Sequence, residues 1–511
     1  MTATNVNPRQ GLWQKITGIV ADLNARPLAN YTMIMISVAF LTGLGVIMVF
    51  SSSMTWSVVD GSSVWDTAIR QVLMVIIGLF VMWAAMRIKP ASVRRIAPWL
   101  MLIAVILLVA VLIPGIGTGR EEVGSQSWIV LGPLRLQPSE FAKVAIAIWG
   151  AAFLGVPDEQ VSANRRFMLF TGVAALMVLL IAAEGDAGMA LTFFMMVGIV
   201  VFFAGIDWRY LVAAGGLAAL GAVALMMGGG FRSQRFTVYF DALFGRFEDT
   251  HSNSFQSYQG FLSLADGSAF GVGLGQSRAK WFYLPEAKND FIFAIIGEEI
   301  GLWGGALVIL AFLLLGFYGI RCAMNSHNKF MSLLAASLTA SVVAQAFINI
   351  SYVIGLVPVT GIQLPMLSAG GTSAIITLGS MGLLASCARH EPEAISAMQN
   401  YGRPLVDQLL RLKEPKIRDV EIGAGDSSTR AKSKEAPRRE PVTRRVSDRD
   451  LEPRGVRGGS VDSRSEQRRQ SRRQETRTQR GDGVRQAPLR QEGSRVAQPK
   501  NQQRPVRKRK G

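Results

Sequence analysis

The residues best suited to chemistry are a few charged side chains at the ends of long apolar stretches. One such stretch opens with QPSEFAK at residues 137–143. Pro138 favours the first turn of a helix, and Glu140 and Lys143 are three residues apart, so they can pair on one helix face. Ionisable groups inside an apolar span are costly and need a reason. The pair is either a structural ion pair at a helix start or the charged wall of an outward-facing cavity.

A second carboxylate lies at the edge of a later apolar stretch. The sequence WFYLPEAKNDFIF, residues 281–293, brings Asp290 to the aqueous end of that stretch. Asn289 and Asp290 are both good helix N-caps, so a capping role is one interpretation and a reactive carboxylate is the other. Glu298 and Glu299 follow two turns later and need partners of their own.

Polar but uncharged residues occupy the next part of the chain. Gln345, Asn349 and Ser351 lie among apolar residues, where they can serve simply as hydrogen bonds between helices. The sequence PVTGIQLPMLSAGGTS, residues 358–373, has two prolines, three glycines and no charge. This composition predicts a re-entrant or broken-helix segment packed within protein. The backbone N–H groups of such a segment can hold an anion such as a phosphate.

Membrane helices must position these residues. A transmembrane helix needs about 20 apolar residues, and the chain offers ten candidates. They cover residues 30–52, 69–87, 97–114, 138–156, 167–183, 187–206, 209–228, 298–320, 331–355 and 372–389. The predicted fold class is therefore an all-α polytopic membrane protein with about ten transmembrane helices.

The loops between these spans set the orientation. Lys and Arg concentrate in alternate loops, for example at Arg94 and Arg95 and at Arg165 and Arg166. The positive-inside rule then places both termini in the cytoplasm. The longest loop, residues 229–290, lies on the outer face together with Glu140 and Asp290. It is rich in aromatic residues, so we expect short helices at the membrane surface there.

Composition separates the two ends of the chain from the bundle. Half of the residues are hydrophobic and the net charge is +18. No aromatic residue follows Tyr401, and the segment after it is rich in Lys and Arg. We therefore expect residues 1–29 to be a cytoplasmic N-terminal segment, 30–390 the membrane domain, and 391–511 a basic disordered cytoplasmic tail. Two cysteines argue against a disulfide framework, and no zinc-ligand spacing or nucleotide-binding glycine motif occurs.

Taken together, these residues resemble the SEDS family (shape, elongation, division and sporulation) over about residues 30–390. The most specific matches are 137–143, YLPE followed by DFIFA and EEIG at 283–301, and 358–373. The loop stretch GVGLGQS at 271–277 and the pair Arg70-Gln71 also match. The sequence of residues 360–372 resembles that of the division-type members of actinobacteria. The elongation-type members are the alternative branch. The chain departs from the family pattern at Ser127, at Gly185-Asp186 and at Ala369.

The resemblance implies a peptidoglycan glycosyltransferase that polymerises lipid II at the outer face of the membrane. The donor already carries a lipid diphosphate as leaving group, and the reaction inverts the anomeric centre. One displacement needs one general base, which we predict to be Asp290. The leaving diphosphate needs compensating positive charge, for which Lys143, Lys280, Arg70 or a divalent cation (Mg²⁺ or Mn²⁺) are candidates. The other predicted substrate-binding residues are Glu140, Gln345, Thr360, Ser368, Gly370 and Gly371.

Two other functions compete with this interpretation. A lipid II flippase would need a path for the head group through the bundle, whereas the charges here lie near the outer ends of spans. A non-catalytic divisome scaffold would not need Glu140, Lys143 and Asp290 together. The resemblance also implies a class B penicillin-binding transpeptidase and other divisome proteins as partners, at the division septum of the cytoplasmic membrane. The tail is suited to anionic lipids or acidic division proteins, and we expect no nucleic-acid partner.

Overall fold

The computed structural model describes residues 17–18, 21–59, 65–120, 124–132, 134–155, 163–205, 209, 212, 215–216, 239–240, 253–280, 284 and 287–416. The helices that the site and the bundle depend on are α1 (Ala29–Val59), α2 (Asp66–Arg87), α3 (Pro90–Leu112), α4 (Pro138–Leu154), α5 (Ala163–Ala183), α6 (Ala187–Phe203), α7 (Asn253–Gly267), α8 (Ile292–Asn325), α9 (Lys329–Val353), α10 (Gly371–Arg389), α11 (Pro392–Tyr401) and α12 (Leu405–Leu409). Three short strands, β1 (Gly117–Thr118), β2 (Trp128–Leu131) and β3 (Leu134–Leu136), lie between α3 and α4.

Nine of the ten predicted spans coincide with helices, which confirms a helical multi-pass membrane protein. Among the described residues, seven helices are long and apolar enough to cross a membrane, namely α1, α2, α3, α5, α8, α9 and α10. Helix α6 is apolar but has only 17 residues, and α4 has the same length. The predicted seventh span, 209–228, lies almost entirely outside the described residues. The total of ten spans therefore stays a prediction.

The helices are apolar all round because one face packs in the bundle and the other faces lipid. In α3 the buried side includes Ala97, Ala104 and Leu108, which recur at helical spacing. On the same helix Trp99 is 67% exposed and Ile106 is 56% exposed. Large apolar side chains at that exposure need a hydrocarbon environment.

Small residues let neighbouring helices approach closely. Helix α10 packs chiefly against α2, and α8 packs against α1 and α9. A Cβ added at Gly382 of α10 would lie 2.4 Å from the backbone oxygen of Met82 in α2. This contact leaves no room for a larger side chain, so glycine sets the distance between the two helices.

The prediction of an all-α chain missed a small antiparallel sheet ordered β1-β2-β3. Ile129 of the central strand pairs with Gly117 on one side and with Leu136 on the other. Strands of two to four residues are too short to show a period-two pattern, which explains why the sequence did not reveal them. The sheet leads directly into Gln137 and the start of α4.

Helix α8 breaks about two and a half turns after it begins. Gly301 has φ +78° and ψ −169°, which is not helical. The break admits the loop after α7, since Leu302 N–H donates to Ser268 O at 3.0 Å and Val272 N–H donates to Glu298 O at 2.9 Å. A Cβ at Gly301 would lie 2.4 Å from the backbone nitrogen of Gly271. The outer loop and the first part of α8 are thereby held together.

The predicted start of the disordered tail at residue 391 is too early. Helices α11 and α12 follow α10, and the structure describes the chain as far as Lys416. The buried Asp407 carboxylate lies 2.7 Å from the Arg389 guanidinium and accepts a 2.7 Å hydrogen bond from Tyr31. These polar contacts join residues that are far apart in the chain, which is why composition alone placed this segment in the tail.

Candidate functional site

The first part of the site is the ion pair at the start of α4. Gln137 occupies the N-cap and Pro138 the first helical position. One turn on, the Lys143 ammonium lies 3.0 Å from a carboxylate oxygen of Glu140. Both residues are buried, with 3% and 4% exposure, respectively. The predicted pairing of these two side chains is confirmed.

Gln345 of α9 completes a three-residue cluster with this pair. The Lys143 ammonium donates to the side-chain oxygen of Gln345 at 2.5 Å. The side-chain nitrogen of Gln345 in turn donates to the backbone oxygen of Gln363 at 3.0 Å. A cavity with room for about one water molecule borders the cluster. Its polar lining continues through Ser341, Thr377 and Ser380. The ion pair therefore lines a small cavity, and an opening of this cavity toward the outer face stays a prediction.

Asp290 lies just before α8, outside the capping position. The helix begins at Ile292 with Phe291 as its N-cap. The interpretation of Asn289 or Asp290 as the helix cap is therefore wrong. Asp290 is partly exposed. Its carboxylate therefore stands at the boundary between the bundle and the outer aqueous side.

Two side chains of α9 hold the backbone of Asp290. The amide of Asn349 donates to the Asp290 carbonyl at 2.9 Å, and the Tyr352 hydroxyl lies 3.0 Å from the same oxygen. Both groups also reach the carbonyl of Ile362, at 2.6 and 2.7 Å. Because their donors are shared between two buried carbonyls, they tie residue 290 to residue 362.

The uncharged segment between α9 and α10 is non-helical, as its prolines and glycines predicted. Ser368 is its main polar contact: the hydroxyl donates to Asn289 O at 2.7 Å and accepts from Leu364 N–H at 2.8 Å. The next residue, Ala369, donates its N–H to Lys288 O at 2.9 Å. The segment therefore supports the three residues that end at Asp290.

Ile362 and Gln363 join the two parts of the site. Ile362 O is held with the Asp290 backbone, and Gln363 O is held by Gln345 and through it by Lys143. Consecutive Cα atoms are about 3.8 Å apart, so one short piece of backbone supports both the acidic and the basic group. The structure thus connects Asp290 with Glu140, Lys143 and Gln345, which sequence alone could only assume.

The remaining predicted residues of the segment take different places. The Thr360 hydroxyl is buried and has no hydrogen-bond partner among the described residues. A Cβ added at Gly370 would lie 2.2 Å from the side-chain oxygen of Gln363, which would then have to move, while Gly371 opens α10 with φ +27°. The two glycines therefore shape the backbone of the site.

Lys280 forms a second buried ion pair, and its predicted role as a substrate ligand stays a prediction. It is 2% exposed, and its ammonium lies 3.2 Å from Glu299 while also bonding the Gly275 carbonyl. Ser51 of α1 donates to the same Glu299 carboxylate at 2.6 and 2.7 Å. The ion-pair partner of Glu299 is thus Lys280, and both side chains are buried.

Arg70 is exposed on α2, next to a residue that contacts the site. The amide of Gln71 donates to the Ser368 backbone oxygen at 3.4 Å. Arg70 is therefore near the supporting segment, but the structure describes no bond from it to the Lys143 cluster.

Sequence reasoning missed Tyr352 and treated Asn349 only as a link between helices. The available signal was their i, i+3 spacing, which places both side chains on one face of α9.

Sequence reasoning also missed the burial of Glu184, which lies between α5 and α6 and is 2% exposed. Its carboxylate oxygens have no hydrogen-bond partner among the described residues. Burial, together with the nearby Asp186, raises the pKa of Glu184 from 4.5 to about 9.

A divalent cation at the site remains a prediction. Among the described residues, no three His, Cys, Asp or Glu side chains come together in a way that could hold a metal ion. Mg²⁺ often binds through one or two carboxylates with the remaining ligands from water and substrate phosphates. Asp290 or Glu140 could supply one such carboxylate when a diphosphate is present.

The fold and this site define a membrane-embedded protein of the FtsW/RodA/SpoVE family of cell cycle proteins, whose family model matches residues 31–393; the chain belongs to this family. It is 40% identical over 391 residues to a Mycobacterium tuberculosis protein named probable peptidoglycan glycosyltransferase FtsW, covering 76% of this chain and 74% of that one. It is 38% identical to stage V sporulation protein E of Bacillus subtilis over 362 residues, covering 70% of this chain and 96% of the relative.

Solved structures show the same fold. A chain from work on the structural coordination of polymerization and crosslinking by a peptidoglycan synthase complex aligns with a TM-score of 0.56 and 24% identity, covering 70% of this chain and 97% of that one. The rod shape determining protein RodA of Thermus thermophilus aligns with a TM-score of 0.51 and 23% identity, covering 70% and 96%. The expected resemblance to the SEDS family is confirmed, and the 40% match favours its division-type branch.

Proposed function

We propose that this chain is a peptidoglycan glycosyltransferase that polymerises lipid II at the outer face of the cytoplasmic membrane. The observation that carries the proposal is the shared support of Asp290 and the Lys143 cluster by residues 362 and 363. A carboxylate residue and an ammonium that are both supported, through Asn349 and Gln345, by one segment suit a displacement that needs a base on one side and positive charge on the other.

Asp290 is the general base in this mechanism. The acceptor hydroxyl oxygen bonds to the anomeric carbon of the donor while the bond from that carbon to the diphosphate oxygen breaks. The hydroxyl proton passes to the Asp290 carboxylate, and the bonding electron pair leaves with the lipid diphosphate. A base placed within hydrogen-bond reach of the hydroxyl typically contributes about 10²–10⁴ in rate.

Lys143 supplies the positive charge that stabilises the leaving diphosphate. An ammonium has three N–H donors, and Glu140 and Gln345 account for two of them in the described part of the chain. The third is available for a substrate oxygen. Glu140 keeps the ammonium oriented, and the buried setting strengthens its field because little water screens it.

Septal cell-wall synthesis is the biological setting that we assign to this activity. The support is the 40% identity to proteins named FtsW, together with the match to a chain from a peptidoglycan synthase complex. The proposed partner is a class B penicillin-binding transpeptidase, which crosslinks the strands that this chain polymerises. Co-purification with such a partner from dividing cells, compared with cells blocked in septation, tests the setting separately from the chemistry.

The experiment for the activity uses the purified full chain in lipid nanodiscs with synthetic lipid II, alone and with the transpeptidase. We expect glycan strands that lysozyme digests. The same chain in vesicles with fluorescent lipid II measures transfer across the bilayer. Transfer without any strand formation in either preparation would favour the flippase and contradict the proposal, and inactivity in both assays would favour the scaffold.

A further inference from the structure

Three large side chains at the cytoplasmic end form an apolar strip that no described residue covers. Tyr401 is 89% exposed, Leu405 is 83% exposed and Leu409 is 84% exposed. Leu405 and Leu409 are four residues apart in α12 and so lie on one face. Many other large exposed apolar residues lie on the flanks of membrane helices, where lipid covers them, and some, such as Phe270, lie in loops. This strip follows the last predicted span.

The strip cannot turn inward, because the opposite side of its segment is anchored. Asp407, between the two leucines, is fully buried against Arg389 and Tyr31, at 2.7 Å from each. Leu412 is also fully buried. The outward direction of the strip is therefore a fixed feature of the fold.

The segment lies at the level of the membrane–water boundary. The indole N–H of Trp83 donates to Leu410 O at 2.9 Å, and Trp83 is four residues from the end of α2 at Arg87. Four helical residues rise about 6 Å, so the contact is near the cytoplasmic end of a span. The Arg87 guanidinium lies 4.5 Å from the centre of the Trp83 ring and donates to Arg411 O at 3.3 Å. Trp and Arg are typical of this boundary.

Exposed basic residues accompany the strip. They are Arg403, Arg411, Lys413 and Lys416. The cytoplasmic leaflet carries anionic lipids that attract such residues. An apolar strip with a basic border, held at the head-group level, has the composition of an interfacial membrane anchor.

We propose that residues 401–416 bind the cytoplasmic leaflet. Tyr401, Leu405 and Leu409 insert among the lipid head groups and upper acyl chains, and the basic residues contact anionic head groups. The anchor fixes the cytoplasmic ends of α2 and α10 relative to the membrane surface. It also sets the point from which the remaining basic tail departs.

The test uses the full chain in nanodiscs and an environment-sensitive dye. The native cysteines, Cys322 and Cys387, are both buried, so a dye can be directed to Leu409→Cys. Glu393→Cys, at an exposed polar position of α11, is the matched control. Lipid-bound nitroxide and aqueous iodide then quench each dye separately.

In anionic nanodiscs we expect the dye at 409 to be quenched by nitroxide roughly threefold more than the dye at 393, and less by iodide. Replacing anionic with zwitterionic lipid, or introducing R411Q together with K413Q, lowers the nitroxide quenching about twofold, because fewer head-group contacts remain. Equal iodide quenching at 409 and 393 overturns the anchor and leaves the strip as a surface for a protein partner. Equal nitroxide quenching in anionic and zwitterionic nanodiscs overturns the proposal that the basic residues bind anionic head groups.

Discussion

The Tyr352 hydroxyl lies 3.0 Å from the backbone oxygen of Asp290 and 2.7 Å from that of Ile362. This single hydroxyl therefore links the predicted base to the segment that also supports Gln345 and Lys143. The Tyr352 ring packs edge-on against Phe291, with 5.8 Å between ring centres, so its packing does not depend on the hydroxyl.

Replacing Tyr352 with Phe should reduce kcat about fivefold and leave KM nearly unchanged, because the Asp290 backbone loses about 1 kcal/mol of hydrogen-bond support while the ring stays in place. Steady-state polymerisation of lipid II by the purified protein measures both constants. Tyr318→Phe, which removes a buried hydroxyl from α8, is the control. Equal kcat values for Tyr352→Phe and wild type would show that the hydroxyl has no positioning role.

The two buried lysines should respond differently to neutralisation of their ion pairs. Removing one partner of a buried pair costs about 3–5 kcal/mol, whereas replacing both by neutral residues is often tolerated. Lys143→Met should therefore destabilise the protein, and Lys143→Met with Glu140→Gln should recover its thermal midpoint but remain at least about 100-fold less active, since no ammonium is left for the diphosphate.

Lys280→Met with Glu299→Gln is the matched control for this experiment. It should recover both thermal stability and polymerisation, because the structure assigns this pair to the packing of α8 against α1 and the outer loop. A double variant at 140 and 143 that polymerises at the wild-type rate would mean that the first pair is structural only. An inactive but stable double variant at 280 and 299 would restore Lys280 as a substrate ligand.

Glu184 should make the protein less stable as the pH rises. Its pKa is raised from 4.5 to about 9 in the folded protein. Between these values the unfolded chain loses the proton while the folded chain keeps it, so the free energy of unfolding falls with rising pH. Glu184→Gln keeps the size and neutrality of the protonated form. It should raise the thermal midpoint at pH 8 by a few degrees and leave it nearly unchanged at pH 4.5.

Thermal unfolding in detergent between pH 4.5 and 9 provides the measurement, with the exposed Glu393→Gln as control. If the wild type and Glu184→Gln keep the same slope across this range, the carboxyl group is not buried as the structure has it.

Truncation should separate the folded segment after α10 from the rest of the tail. A chain that ends at residue 416 keeps the contacts of Asp407 and should polymerise lipid II within about twofold of the full chain. Asp407→Ala in that shortened chain leaves Arg389 buried without its carboxylate and should cost about 3 kcal/mol of stability. Loss of activity on removal of residues 417–511 would instead place an essential function in the tail.

The sequence was most informative where local pattern decides the structure. Long apolar stretches predicted nine helices, with ends within seven residues of those observed, and the i, i+3 spacing of Glu140 and Lys143 predicted their ion pair. Prolines and glycines predicted the non-helical segment before α10. Each of these depends on neighbours in the chain, so the sequence contains the whole signal.

Long-range partners could not be read in the same way. Lys280 resembles a substrate ligand in sequence, but in the structure it pairs with Glu299, which lies 19 residues away. Asp407 is held by Tyr31, which is 376 residues earlier. Such contacts depend on how elements pack, and for this reason the sequence did not reveal the partner of Lys280 and the tail boundary was set too early.

The most direct measurement is the rate of lipid II polymerisation by purified Asp290→Ala protein, with its transpeptidase partner present. The control is Asp266→Ala, which removes an exposed carboxylate from α7 in the same outer loop. If Asp290 is the general base, its variant inserts, keeps its thermal midpoint and binds the partner, but polymerises at least about 100-fold more slowly, while Asp266→Ala is unaffected. Polymerisation by Asp290→Ala at the wild-type rate would contradict the proposed mechanism.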